Sequence, residues 1–245
     1  LAIASLGLVA AAPVGTISAT DTPALDLSTL HVQVILDHLG FSPGVLDGRA
    51  GKSLLAALKG FQETRGLPQT GEMDLTTLRA LHPYAQWRPT QTIALTTDML
   101  AGPFVNPLPK NPQLQARLTT LGYRSPMEKL GEMFHTKPSV LLELNSPQTR
   151  LVPGSKIVVP NAIAADHAYD PKLPEKWRQT LSDLNVDSTQ PTGAKVVVDK
   201  SEEVLRVLDK DGKLVAQFMA TMGSEHDPLP IGTWKILGPD RKSVV

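Results

Sequence analysis

Cysteine is absent from the 245 residues of this sequence. Disulfide bonds, thiolate metal sites and a cysteine nucleophile are therefore excluded within these residues. Aromatic residues make up only 4% of the chain, which argues against the aromatic platforms on which single-stranded nucleic acids stack. Basic and acidic residues number 24 each, so the chain has no excess positive charge to neutralise the phosphates of a nucleic acid.

A ligand set for a catalytic metal is also missing. The six histidines are dispersed along the chain, at positions 31, 38, 82, 135, 167 and 226. His31 and His38 lie about 10 Å apart along the axis of one predicted helix, which is too far for two ligands of one metal ion. His226-Asp227 lies in a predicted loop and is interpreted as a solvent-facing pair. We expect neither a metal site nor an organic cofactor, and a serine hydrolase is not predicted.

Residues 1–13 are almost entirely small and apolar, and no lysine or arginine precedes Arg49. This run is about half of the ~20 residues that a membrane-spanning helix needs. It has the apolar region and the small-residue cleavage positions of a secretory signal, at Ala10 and Ala12 or at Ala19, but not the basic start. Residues 1–20 are therefore predicted to be a truncated signal peptide, with a buried N-terminal helix as the alternative. We expect an exported protein of the periplasm or cell envelope.

Residues 25–83 have the pattern of three helices. Apolar residues recur at the helical period, at 30, 34, 35 and 39, at 54, 58 and 61, and at 75, 78 and 81. Ser28 and Asp74 are suited to cap the first and third helices, and Gly40 is suited to end the first. Between the first two helices, residues 46–53 contain two glycines and form a predicted tight loop.

Four motifs of this region, in this order, carry a family resemblance. They are Leu-Gly-Phe at 39–41, Asp-Gly-Arg-Ala-Gly at 47–51, Ala-Leu-Lys-Gly-Phe-Gln at 57–62 and Gly-Leu-Pro-Gln-Thr-Gly at 66–71. The region resembles the bacterial peptidoglycan-binding domain 1 family, and it departs from that family at 52–55. The resemblance implies a three-helix bundle whose partner is peptidoglycan. We expect the loop side chains of Asp47, Arg49 and Lys52 to contact its glycan or its stem peptides.

Residues 84–112 are rich in proline and are predicted to be a linker with one short strand at 91–96. In residues 113–161, a capping box at 125–128 begins one helix, a second helix spans 138–145 and a strand spans 156–160. Leu-x-x-Leu-Asn at 141–145, followed by Leu-x-Pro-Gly-x-x-Ile-x-Val-Pro at 151–160, resembles the second half of a LysM domain. A LysM-like ααβ unit without an identified first strand is therefore predicted, and a plain helical spacer is the alternative.

Residues 162–192 are predicted to be a second linker with a short helix at 174–184, and residues 193–245 a β-meander. Its Val-rich runs are separated by turns, and Asp211-Gly212 is a hairpin dipeptide. The runs, followed by Thr-x-Gly at 221–223 and Pro-x-Gly-x-Trp at 230–234, resemble the N-terminal part of the L,D-transpeptidase (YkuD-type) catalytic domain. The catalytic cysteine of that family lies in a His-Gly-Cys type motif farther along the chain. No catalytic residue is therefore assigned in this sequence.

The predicted fold class is multi-domain α+β, with a three-helix peptidoglycan-binding bundle, a LysM-like ααβ unit and an incomplete, mainly β C-terminal domain. The resemblances imply a peptidoglycan-binding cell-wall protein, a fragment of an L,D-transpeptidase that forms 3–3 crosslinks through a cysteine acyl-enzyme. The alternative is a non-catalytic wall-binding protein of the envelope. A zinc-dependent wall hydrolase would need a ligand cluster that these residues do not contain.

Overall fold

The structure, a computed structural model, describes residues 24–118 and 122–235. The predicted signal peptide and residues 236–245 of the predicted C-terminal domain lie outside the described residues. The protein is a mixed α+β structure with a helical N-terminal region followed by antiparallel sheets. The helices are α1 Leu27–His38, α2 Lys52–Thr64, α3 Leu75–Leu81, α4 Thr97–Leu100, α5 Pro112–Gln115, α6 Pro126–Met133, α7 Pro138–Leu144 and α8 Glu175–Asp183. The strands are β1 Thr90–Ala94, β2 Lys156–Pro160, β3 Lys195–Asp199, β4 Val204–Leu208 and β5 Leu214–Met219.

Helix α1 begins one residue after its N-cap, which is Asp26 and not the predicted Ser28. The carboxylate of Asp26 accepts the backbone N–H groups of Ser28 and Thr29 at 2.6 and 2.8 Å. Ser28 therefore lies in the first turn, where its own N–H is one of the groups that a cap has to satisfy. Gly40 follows the helix with φ +81°, a backbone conformation that glycine adopts without strain.

Helix α3 begins at its predicted cap, but its buried face differs from the predicted one. Leu81 is buried, whereas Leu75 and Leu78 are 64% and 43% exposed. Thr77 is 1% exposed and lies four residues before Leu81, so these two side chains share the inward face. The spacing of the leucines predicted the wrong face, because the inward position one turn before Leu81 is occupied by Thr77 and not by a leucine.

Strands β1 and β2 form a two-stranded antiparallel sheet, in which Thr90 lies opposite Pro160 and Ala94 opposite Lys156. Helices α4 to α7 lie between these strands in the sequence, and we refer to residues 90–160 as the βααβ unit after its two strands and its two longer helices, α6 and α7. Its core contains Leu95, Leu130, Met133, Phe134, Leu141, Ile157 and Val159. The segment predicted as a linker at 84–112 thus supplies the first strand of the unit predicted at 113–161.

Asn145 connects the end of α7 to β2. Its Nδ2 donates to the carbonyl of Leu141 at 2.8 Å and to that of Val158 at 2.7 Å. Its Oδ1 accepts the backbone N–H of Val158 at 2.7 Å. One side chain thus satisfies both backbone groups of Val158, which orients β2 relative to α7.

Strands β3, β4 and β5 form the predicted antiparallel meander, in that order in the sheet. Gly212 has φ +78° in the turn between β4 and β5, as the Asp-Gly dipeptide predicts. Val198, Leu205 and Phe218 lie opposite one another and share one sheet face. Val198 and Phe218 are 39% and 41% exposed, so this outer face is open in the part of the chain that the structure describes.

The other face of the meander packs on the helical region. Apolar side chains of β4 and β5 join the core formed by α1 and α2. Gln217 donates from Nε2 to the carbonyl of Ala56 in α2 at 2.7 Å. Its backbone N–H donates to the carbonyl of Gly40 at 2.9 Å, and its carbonyl accepts from the N–H of Ser42 at 2.8 Å. The segment that follows α1 therefore pairs with the edge of β5 and fixes the meander to the helices.

A different part of the helical region contacts the βααβ unit. The backbone N–H of Leu46 donates to the carbonyl of His135 at 2.9 Å, and the hydroxyl of Thr136 donates to the carbonyl of Leu46 at 2.7 Å. His38 adds a contact just beyond this unit, since its Nε2 lies 2.7 Å from the carbonyl oxygen of Asn161, the residue after β2. The helical region is thus in contact with the meander and with the βααβ unit.

Candidate functional site

The loop between α1 and α2 contains the three side chains predicted to contact peptidoglycan, and Gln33 of α1 organises it. Gln33 is 1% exposed. Its Oε1 accepts the N–H groups of Asp47 and Gly48 at 3.0 and 2.7 Å, and its Nε2 donates to Asp47 Oδ1 and the carbonyl of Arg49 at 3.2 and 3.1 Å. Because a buried amide is stable only when its polar groups are paired, these four bonds fix the conformation of the loop.

Gly48 allows this loop to approach the start of α1. Its φ is +67°, and its carbonyl accepts the N–H of Asp26 at 3.0 Å. A Cβ atom added to Gly48 would lie 2.7 Å from the carbonyl oxygen of Asp26 and 2.9 Å from Leu25 Cγ. The glycine of the Asp-Gly motif is therefore required both by its backbone conformation and by the lack of space.

Asp47 and Arg49 face the βααβ unit, and their side chains are only 16% and 17% exposed. Arg49 donates to Glu143 Oε2 of α7 at 2.7 Å and to the carbonyl of Asp47 at 3.0 Å. Lys137 Nζ lies 3.8 Å from Asp47 Oδ2. The hydrogen bonds from Arg49 and from the backbone N–H of Leu25 lower the pKa of Glu143 below its usual value. Both loop residues thus stabilise a contact within the protein.

Lys52 is placed differently from the other two predicted contact residues. It is the first residue of α2, and it is exposed. The structure therefore does not bring the three side chains together on one open surface. Of the three, only Lys52 is broadly accessible to a large partner.

A second buried glutamine organises the loop between α2 and α3. Gln62 is 0% exposed, and its Oε1 accepts the N–H of Gly71 at 2.9 Å. Its Nε2 donates to the hydroxyls of Thr70 and Thr77 at 2.9 and 2.8 Å. No role for Gln33 or Gln62 was predicted from the sequence. The sequence feature that could have identified them is a glutamine beside apolar residues on the inward face of a predicted helix.

Residues 28–81 match the model of the putative peptidoglycan binding domain family. The matched segment contains Gln33, Gln62 and the two loops that they organise. No curated protein matches the chain.

The peptidoglycan-binding domain supports peptidoglycan as the partner of this protein and suggests a location associated with the cell wall. The match ends at residue 81, so the LysM-like and transpeptidase-like interpretations of the later residues rest on their sequence patterns. Within residues 24–118 and 122–235, no helix combines the length and apolar composition needed to cross a membrane. The same residues contain no group of three or more histidine or carboxylate side chains arranged to hold a metal ion.

Residues 40–44 have the spacing Gly-x-Ser-x-Gly, which can mark the nucleophile of a serine hydrolase. A serine hydrolase was not predicted because this string was taken to be absent, and that interpretation of the sequence was wrong. This string follows helix α1, whereas a nucleophile elbow connects a strand to a helix. Ser42 donates its backbone N–H to β5, and no histidine of the described residues is hydrogen-bonded to its hydroxyl. The string is therefore part of the contact with the meander and does not form a catalytic site.

A cleft of about 690 Å³ lies between α8 and the βααβ unit, outside the matched domain. Tyr123, Glu132 and Asp183 are among the residues that line it. Burial and the charges of Asp183, Glu132 and Glu128 raise the pKa of Tyr123 above its usual value. Arg124 and Lys129 also line the cleft, so charged side chains of both signs surround this phenol.

Proposed function

We propose that this chain is a peptidoglycan-binding protein of the bacterial cell wall and the N-terminal part of an L,D-transpeptidase exported to the periplasm. The match of residues 28–81 to a peptidoglycan-binding family carries the binding half of this proposal. The hydrogen bonds of Gln33 and Gln62 support it, because they give the family motifs defined loop conformations.

Lys52 is the residue that we place in contact with the polymer. Its ammonium group is exposed beside the 46–49 loop, and stem peptides carry carboxylates that an ammonium group attracts. Asp47 and Arg49 act indirectly in this proposal, since they hold the loop that precedes Lys52. Their own contact with the polymer would require the loss of bonds to the βααβ unit.

Co-sedimentation with insoluble peptidoglycan tests the binding function. We expect the whole chain to pellet with purified peptidoglycan sacculi but not with cellulose, and Lys52→Ala to weaken this binding several-fold. Arg79→Ala is the matched control, because Arg79 is an exposed cation on α3 of the same bundle. Failure of the unaltered chain to pellet above the cellulose level would refute the binding function. Equal losses in both variants would refute the assignment of Lys52.

The transpeptidase half of the proposal rests on the resemblance of residues 193–245 to a YkuD-type domain. An observation that favours it is the apolar outer face of the meander, since an apolar sheet face is stable when another layer covers it. In this proposal the missing layer and the nucleophilic cysteine come from residues outside these 245. The βααβ unit acts as a LysM-like second wall-binding module, with β1 as its first strand.

Sequencing of the gene beyond the codon for Val245 tests the transpeptidase half. A continuing reading frame with a His-Gly-Cys segment supports it, and a stop codon at that point refutes it. The 245-residue chain itself is expected to be inactive on tetrapeptide muropeptides, because it contains no thiol. The second candidate function, non-catalytic wall binding, needs no thiol, and a stop codon after Val245 would support it.

A further inference from the structure

His135 lies where three parts of the protein meet. It follows α6 in the βααβ unit, and its Nδ1 is 2.7 Å from Asp37 Oδ2 of α1. Its Nε2 is 2.9 Å from the carbonyl oxygen of Leu184, at the C-terminal end of α8. One imidazole thus connects the peptidoglycan-binding bundle, the βααβ unit and α8.

Both partners of the ring are hydrogen-bond acceptors. A carboxylate and a backbone carbonyl have no proton to donate, so each contact needs an N–H on the imidazole. A neutral imidazole has one N–H, and in either tautomer its second nitrogen would direct a lone pair at an oxygen atom. The two contacts are therefore compatible only with the doubly protonated ring.

We propose that His135 is a proton-dependent latch that holds α8 against the βααβ unit. Loss of the ring proton breaks the contact with Leu184, because the single remaining N–H is retained by the stronger acceptor, the carboxylate of Asp37. Leu184 and Asp183 line the cleft between α8 and the βααβ unit, so loss of the contact loosens one wall of the cleft, while Asn185 Nδ2 still donates to the carbonyl of Met133 at 3.2 Å.

The surroundings of the ring determine the pH at which the latch opens. The charged groups that act on it are Asp37 from α1 and Glu132 from α6, and α8 contributes the Leu184 carbonyl. Lys137 follows His135 by two residues, and its Nζ lies 3.8 Å from Oδ2 of Asp47. Burial opposes protonation, but the bond to Asp37, its charge, the carbonyl and the charge of Glu132 outweigh burial and raise the pKa of His135 from 6.5 to about 9. The latch is therefore closed at neutral pH and opens as the pH rises through about 9.

Distance measurement between two spin labels tests this proposal directly. Because the chain contains no native cysteine, Lys176→Cys in α8 and Ser139→Cys in α7 introduce two unique labelling sites, both exposed. We expect one narrow distance distribution at pH 7 and a longer, broader one above the transition, with a midpoint near pH 9. Far-UV circular dichroism measured in parallel should stay constant, since the latch releases one helix and does not unfold the protein.

Asp37→Asn distinguishes a latch from general alkaline opening. The amide introduced at position 37 can donate an N–H to Nδ1 of the neutral ring, so the single ring N–H stays on Nε2 for the Leu184 carbonyl. This variant should therefore keep the narrow distance distribution above pH 9. His135→Gln should give the broad distribution at every pH, because one amide nitrogen cannot replace two opposed ring donors. His226→Gln, a substitution of an exposed histidine, is the control and should leave the midpoint unchanged. A wild-type distribution that stays narrow to pH 10.5, or an Asp37→Asn distribution that broadens as the wild-type one does, overturns the proposal. If His135→Gln does not fold, the wild type and Asp37→Asn decide.

Discussion

Substitution of Gln33 by leucine tests how the candidate loop is held. Leucine has a similar volume but no amide, so the change removes all four hydrogen bonds to the loop without a large cavity. The buried N–H of Gly48 and the partly buried N–H of Asp47 lose their partner. At about 1–3 kcal/mol for each donor left unpaired, with the second partly hydrated, we expect a loss of about 2–4 kcal/mol in the free energy of unfolding.

Urea unfolding followed by far-UV circular dichroism measures this loss, provided that the m-value is unchanged. Gln113→Leu is the control, because Gln113 is exposed on α5 and its replacement should change the stability by less than about 0.5 kcal/mol. The reasoning is refuted if Gln33→Leu costs less than about 1 kcal/mol. Such a result would mean that water replaces the amide and that the loop does not depend on it.

Three further outcomes are expected. Gly48→Ala should lower the free energy of unfolding by at least about 1–2 kcal/mol, since φ is +67° and the added Cβ meets a backbone oxygen at 2.7 Å; a neutral effect in the same urea assay would contradict this. The ion pair between Glu63 and Arg206, whose side chains are 32% and 29% exposed, should show a coupling of about 0.5–1 kcal/mol in a double-mutant cycle; a coupling above about 2 kcal/mol would show a drier interface than the structure has. Stability should fall as pH rises through about 9, because the raised pKa of His135 makes its contribution complete below pH 6.5 and absent above the folded-state value; a urea midpoint that does not fall between pH 7 and pH 10 would rule out this contribution.

The sequence predicted the elements that depend on local patterns. The helical period located α1, α2 and α3, and an Asp-Gly dipeptide located the turn between β4 and β5. The strand β1 was predicted within two residues, but its partner was not. That partner, β2, lies more than sixty residues farther along the chain, and no local pattern specifies a pairing over such a separation.

The tight loop that carries the candidate site was predicted from the sequence, but the contacts of its side chains within the protein were not. The two glycines of residues 46–53 predicted a tight loop, and the structure shows that Gly48 is the one that the close approach to α1 requires. The sequence could not show that Asp47 and Arg49 are covered, because their partners Lys137 and Glu143 belong to another unit. Gln33 was missed because a polar residue in an apolar stripe indicates burial only when its partners are known.

The ion pair between Arg49 and Glu143 limits where a polymer can bind. A polymer that engages Arg49 has to compete with Glu143, whose carboxylate is 2.7 Å from the guanidinium group. This competition is unfavourable, because displacement of Glu143 would also disturb the hydrogen bond that its carboxylate accepts from the backbone N–H of Leu25. A polymer that binds at Lys52 leaves these contacts intact. For the proposed binding function, the surface that we assign to peptidoglycan is therefore the beginning of α2, where Lys52 is exposed.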